Sequence, residues 1–157
     1  MIETEVNREN LEKFILNICP NDKEELKYTF KDKYKEIFID ICLKEKNIWF
    51  LADKNRNPCA IGGIQYSNIN NLLFGKIWFL SAGNFNENAI ATLKYIKNKI
   101  NYFKGTADVL YNHIYKTNFH FLKWLKKAGF KTVNINDYIK LFYYSKEEHF
   151  DIRYTTG

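Results

Sequence analysis

The chain has 157 residues, of which 46% are hydrophobic and 27% charged, the composition of one self-folding soluble domain and not of a disordered or membrane-spanning chain. Its formal charge of +6 rests on 24 basic against 18 acidic residues, but the basic residues are almost all lysine. With Arg8, Arg56 and Arg153 as the only arginines, the bidentate forks that read bases are scarce, and sequence-specific nucleic-acid recognition is excluded as an expectation.

In chain order, residues 1–6 read as a short strand. A helix over about 7–18 follows, with Leu11, Phe14, Ile15 and Ile18 on one face. Pro20 interrupts it, and Asn21 or Asp22 offers a cap to a second, longer helix with Leu26, Phe30, Tyr34, Ile37 and Ile41 three to four residues apart. "NIWFLAD", "CAIGGIQYS" and "LLFGKIWFLS", separated by polar turns, predict an antiparallel meander. Paired Gly62-Gly63 inside the middle run predicts a bulge or a close approach by another backbone.

After Gly83 the apolar period lengthens from two to about 3.6. Ile90, Leu93, Ile96, Ile100 and Phe103 form a stripe that Gly105 closes. "TADVLYN" reads as a strand, "TNFHFLKWLKKAGF" as a helix, and "KTVNI" with "IKLFYYS" as a final strand pair. The fold class is α+β (mixed α/β), one domain over residues 1–157 with a central mixed sheet. The unit at 75–112 should be a right-handed crossover with parallel strands. Ligands in such sheets bind beyond the carboxyl ends of the strands, here Ser81-Ala82-Gly83 and Tyr111-Asn112-His113, with helix N–H groups starting near Asn88 suited to an anion.

Cys19, Cys42 and Cys59 lack ligand spacing to each other or to His113, His120 and His149, so they read as apolar thiols and no metal is expected. No apolar run approaches the roughly 20 residues of a membrane span. The polar N-terminus lacks the features of a secretory or transit segment, which places the expected location in the cytoplasm or inside a virus particle.

"KIWFLSAGNFNENAIATLKYI", "ADVLYN" and "NFHFLKWLKKAGF" together resemble the GNAT acyltransferase superfamily over about residues 48–144. The "GKIWFL" strand with "WLKKAGF" is similar to a branch from tailed bacteriophages, which includes an internal virion protein. The resemblance implies a sheet of six to seven strands flanked by about four helices. It also implies an acyl-CoA-dependent N-acyltransferase that uses acetyl-CoA or another acyl-CoA and a small-molecule or protein amine as acceptor. The backbone of Phe79, Leu80 and Ser81 would pair with the pantetheine arm, and the loop with Gly83, Asn84 and Asn88 would lie under the pyrophosphate. Asn118 would contact the thioester end.

Two positions depart from the family pattern. The phosphate loop has one glycine, followed by bulky Phe85 and anionic Glu87, and Leu125 stands where a thiolate-protonating tyrosine is usual. Tyr111 or Tyr115 is the substitute acid and His113 a candidate base. Asp108 reads as a capping or solvated residue. The alternative is a catalytically silent member of the same fold that serves as a structural or accessory part of a phage particle, with phage structural proteins as partners, or as an interaction module.

Overall fold

The computed structural model describes residues 1–154. Its seven strands are β1 Ile2–Glu3, β2 Ile48–Ala52, β3 Pro58–Ile69, β4 Leu72–Ser81, β5 Val109–Tyr115, β6 Lys131–Asn134 and β7 Ile139–Ser145. Its helices are α1 Arg8–Leu16, α2 Pro20–Phe30, α3 Tyr34–Lys44, α4 Ala89–Lys104 and α5 Phe119–Lys127. The strands form one mixed sheet in the order β1-β2-β3-β4-β5-β7-β6, as the fold class requires. The chain groups into two compact units, residues 1–63 with 78–95 and residues 64–77 with 96 onward.

In the first unit, Asn7 caps α1 by accepting the Asn10 N–H, and Leu11, Phe14 and Ile15 are buried. They meet Phe38, Ile39 and Cys42 of α3 and Phe50, Ile61 and Leu80 of the sheet in one apolar cluster. The single long helix expected over 22–41 is in fact two helices. Lys31 sits at φ 61°, and a 3-10 turn over Lys31–Lys33 separates α2 from α3. The break re-phases the apolar face, so that Tyr34, Phe38, Ile39 and Cys42 point inward while Ile37 and Ile41 lie at its margin.

Neither Asn21 nor Asp22 caps α2. Cys19 is at the N-cap without a side-chain capping bond, and Pro20 opens the first turn, where its missing N–H costs nothing. The strand expected over 1–6 is limited to Ile2–Glu3, which pairs with Ala52 and Leu51.

Gly62 faces Trp49 across the β2–β3 ladder, and a Cβ there would lie 2.1 Å from the indole. Gly63 passes the Asn47 carbonyl, 2.7 Å from where a Cβ would stand. The close approach expected at this pair is therefore to a side chain at one glycine and to backbone at the other.

In the second unit, the turn after β3 is built by Asn70 and Asn71, at φ 50° and 66°, the left-handed pair that a tight hairpin turn demands. β5 lies beside β4 in parallel, as the crossover rule predicts, with Phe74, Gly75 and Lys76 opposite Val109, Leu110 and Tyr111. Asp108 caps this junction, because its carboxylate accepts the Leu73 N–H at 2.8 Å. Of the stripe on α4, Ile96, Ile100 and Phe103 are buried, but Ile90 in the first turn is 88% exposed.

Helix α5 ends in a Schellman motif. Phe130 N–H reaches the Leu125 carbonyl, Gly129 N–H reaches that of Lys126, and Gly129 takes φ 94°. Lys104 Nζ donates to the Ala128 carbonyl at 2.7 Å and lies 4.4 Å from the Tyr144 ring centroid. Among the described residues, no helix is long and apolar enough to cross a membrane.

Candidate functional site

On the first unit, the end of β4 is held on both sides by the chain itself. The Ser81 N–H and Oγ both donate to Asp22 Oδ2, at 2.8 and 2.9 Å, and the Ser81 carbonyl accepts the Cys19 N–H at 2.9 Å. Ile18 bridges Ala82, the Cys19 Sγ donates to the Ala82 carbonyl, and Gly83 N–H reaches the Asn17 carbonyl at 2.7 Å. From the other side, Ala82 N–H donates to the Cys59 carbonyl. The polar groups of Ser81 expected to meet a cofactor arm are thus already engaged by Asp22 and Cys19. Burial pushes the Asp22 carboxyl above the usual range, and the two bonds from Ser81 oppose that shift.

The loop that follows is shaped from outside. Asn84 Nδ2 donates to Asp53 Oδ2 at 3.1 Å, while the other oxygen of Asp53 accepts the N–H groups of Asn55 and Asn57. These bonds, chiefly that from the Asn57 backbone, hold the Asp53 carboxyl below its ordinary value. Asn88 Nδ2 returns to the Asn84 carbonyl, and a 3-10 turn over Asn86–Asn88 leads into α4. Gly83, Phe85 and Asn88 spend their N–H groups inside the protein. Those of Asn84, Asn86 and Glu87 have no acceptor among the described residues.

Phe85, the bulky departure from the family loop, packs its ring edge-on against Phe79 at 5.8 Å. Phe79 stacks in turn on Trp49. The extra bulk is therefore absorbed by a chain of aromatic rings.

On the second unit, Tyr111 lies on β5 opposite Tyr143 of β7, and its ring meets Phe74 edge-on at 5.8 Å. His113 lies two residues on and is exposed. Although the residue is exposed, partial desolvation by its neighbours and the Lys76 ammonium lower its pKa, which favours the neutral imidazole. Tyr115 ends β5, and its carbonyl accepts the Asn118 N–H. Asn118 opens α5 through its carbonyl, which accepts the Leu122 N–H, while its side chain makes no capping bond. Leu125, at the position usual for an acidic tyrosine, is 0% exposed. Trp124 beside it stacks on Phe121 at 5.6 Å, with the rings 7° from parallel.

Sequence reasoning placed Asn112 at a strand end but gave it no role. The register Lys76–Tyr111 calls next for a backbone bond from His113 N–H to the Ile77 carbonyl. In its place the Asn112 carboxamide bridges the two groups: Nδ2 donates to Ile77 O and Oδ1 accepts His113 N–H, each at 2.7 Å. An asparagine in a strand is unfavourable for packing, and its position inside "VLYNHIY" is the one signal that pointed to it.

No protein-family model matches this sequence, and neither does any curated protein. Solved structures do match across nearly the whole chain. A PaiA N-acetyltransferase from Thermoplasma acidophilum, solved in complex with coenzyme A, is 13% identical, with 92% of this chain and 98% of that one covered at a TM-score of 0.62. A GNAT-family acetyltransferase from Streptococcus agalactiae is 12% identical, with 94% and 96% covered and a TM-score of 0.62. A spermidine N-acetyltransferase from Vibrio cholerae is 14% identical, with 92% and 93% covered and a TM-score of 0.59. The chain has the GNAT acyltransferase fold.

Proposed function

We propose that this chain is an acyl-CoA-dependent N-acyltransferase acting on an amine of a small molecule or protein. One observation carries the reading: the parallel β4–β5 ladder stops after Lys76–Tyr111, short of the carboxyl ends of both strands at Ser81 and Tyr115, which is the side on which ligands of such sheets bind. A structural neighbour solved with coenzyme A supports the cofactor class.

The fit to an acyl-CoA differs along the chain. It is good at the loop for Asn84, Asn86 and Glu87, whose N–H groups have no acceptor among the described residues and would face a pyrophosphate, whereas the N–H groups of Gly83 and Asn88 are held by the Asn17 and Phe85 carbonyls. Phe79 and Leu80 would offer backbone to the pantetheine arm. Ser81 does so only if Asp22 and Cys19 let go of it. The bound cofactor supplies the acyl group as a thioester. His113, neutral near physiological pH, takes the proton of the acceptor ammonium. Tyr111 or Tyr115 supplies the proton that Leu125 cannot. Asn118, whose side chain makes no capping bond, would offer its amide to the acyl end.

A second reading, a catalytically silent member of the fold acting as an interaction module, is favoured by two observations: Ser81 is already engaged, and Leu125 is sealed in the core. A place in a phage particle rests on the sequence resemblance alone. Calorimetric titration with acetyl-CoA separates the two. Micromolar binding, with acyl transfer to a mixed panel of amines, supports the enzyme; absence of binding at millimolar cofactor supports the silent reading. Mass spectrometry of purified phage particles beside host lysate tests the phage assignment.

A further inference from the structure

The geometry points to Asn112 as a positioning residue, a one-amide spacer that holds β5 away from β4 at Ile77. This rests on the acyltransferase reading for its functional meaning, but the spacer itself is a property of the second unit. Three pairs run in regular register up to Lys76–Tyr111. A parallel ladder continues by sending the N–H of the next-but-one residue, His113, to the carbonyl after Lys76, that of Ile77. Donor and acceptor are both present and in register, yet they do not meet. Asn112 occupies the interval, accepting from His113 N–H and donating to Ile77 O, at 2.7 Å each. Two hydrogen bonds in series through a planar amide span roughly twice the reach of one. The gap therefore opens at this residue without orphaning either backbone group, which is the usual cost of ending a ladder inside a protein.

The side-chain chemistry is specific. Only a carboxamide both accepts and donates across such an interval. Glutamine is a methylene too long, and aspartate can accept from His113 but cannot donate to Ile77. Meanwhile the backbone of Asn112 stays in register with Phe142 of β7, so β5 is anchored on its far side. The spacer consequently acts on the β4 side alone. The same bond fixes the peptide that carries His113, the candidate base, so opening the gap and aiming the base depend on one residue.

Asn112→Ala removes the spacer and leaves His113 N–H free to reach Ile77 O. The expected result is a crystal structure with that N···O distance closed to about 2.9 Å. The Tm should stay within about 2 °C of wild type, because one backbone bond replaces two side-chain bonds, and acetyl-CoA affinity should fall at least about tenfold. Asn112→Asp is the companion variant: the carboxylate keeps the strands apart by facing the Ile77 carbonyl, so the gap stays open, Tm drops, and affinity falls less than in Asn112→Ala. An Asn112→Ala structure with the His113–Ile77 interval unchanged overturns the inference. So does full affinity with that interval closed. If wild-type protein fails to bind acetyl-CoA at all, the acyltransferase reading falls, and the His113–Ile77 distance in Asn112→Ala still decides the spacer on its own.

Discussion

Replacing Gly62 by alanine tests the packing that supports the front of β4. The new methyl would stand 2.1 Å from Trp49 Cζ2, whereas carbon atoms rest at about 3.5–4.0 Å. The indole must then retreat by roughly 1.4–1.9 Å. It has little room to do so, being 7% exposed and in ring contact with Phe79 at 5.8 Å and Tyr95 at 5.5 Å. Overpacking of this kind costs about 1–3 kcal/mol, and losing one aromatic pair adds ~0.5–1.5 kcal/mol. The stiffer unfolded chain returns ~0.4–1 kcal/mol. The net loss is about 2–3 kcal/mol, or a Tm lower by roughly 4–12 °C for a chain of this size. Differential scanning calorimetry reads it directly. Gly83→Ala is the control, because its new methyl meets nothing closer than 3.6 Å, and its Tm should stay put. Trp49→Leu in the Gly62→Ala background should recover part of the loss as a favourable coupling. Equal melting of Gly62→Ala and wild type, or zero coupling to Trp49, refutes the reasoning.

Three further outcomes are expected. Asp22 is raised in the folded state by burial, so the native protein holds its proton more tightly than the unfolded chain, and stability falls as pH rises through that window. Urea melts from about pH 4 to about pH 8 should show Asn at position 22, as Asp22→Asn, gaining on wild type with rising pH. Lys104→Met loses the bond to the Ala128 carbonyl, about 1 kcal/mol, and lowers Tm by ~2–4 °C. Asn118→Ala breaks no capping bond, so Tm should move by no more than the equivalent of ~0.5 kcal/mol, while calorimetry shows weaker acetyl-CoA binding.

The elements that carry the fold were legible because each has a clean period. The short apolar runs of 48–81, cut by polar turns, and the helical spacing of Ile96, Ile100 and Phe103 left little choice about β2–β4 and α4. The break at Lys31 was not legible: a lysine at φ 61° carries none of the glycine or asparagine signal that marks a left-handed residue. Ile90 misled because the first turn of a helix overhangs the core it later packs against. For the candidate site, local rules located the end of β4 but stopped β5 at Asn112, three residues short of Tyr115, and every partner that decides the availability of these residues is distant in sequence. Asp22 reads as a helix cap, yet it spends its carboxylate on Ser81, 59 residues away. Asn112 reads as a weak strand residue, and its meaning lies in the carbonyl of Ile77, 35 residues earlier.

The turn between β4 and α4 is suspended from four other stretches of chain: Asn17 holds Gly83, Cys59 holds Ala82, Asp22 holds Ser81 and Asp53 holds Asn84. Its contour is therefore dictated by its surroundings more than by its own letters. Mutations within the turn can accumulate while the scaffold around it keeps the path of the backbone, so the glycines that elsewhere advertise such a turn become dispensable. The frame, and not the spelling of the turn, carries the information for its path.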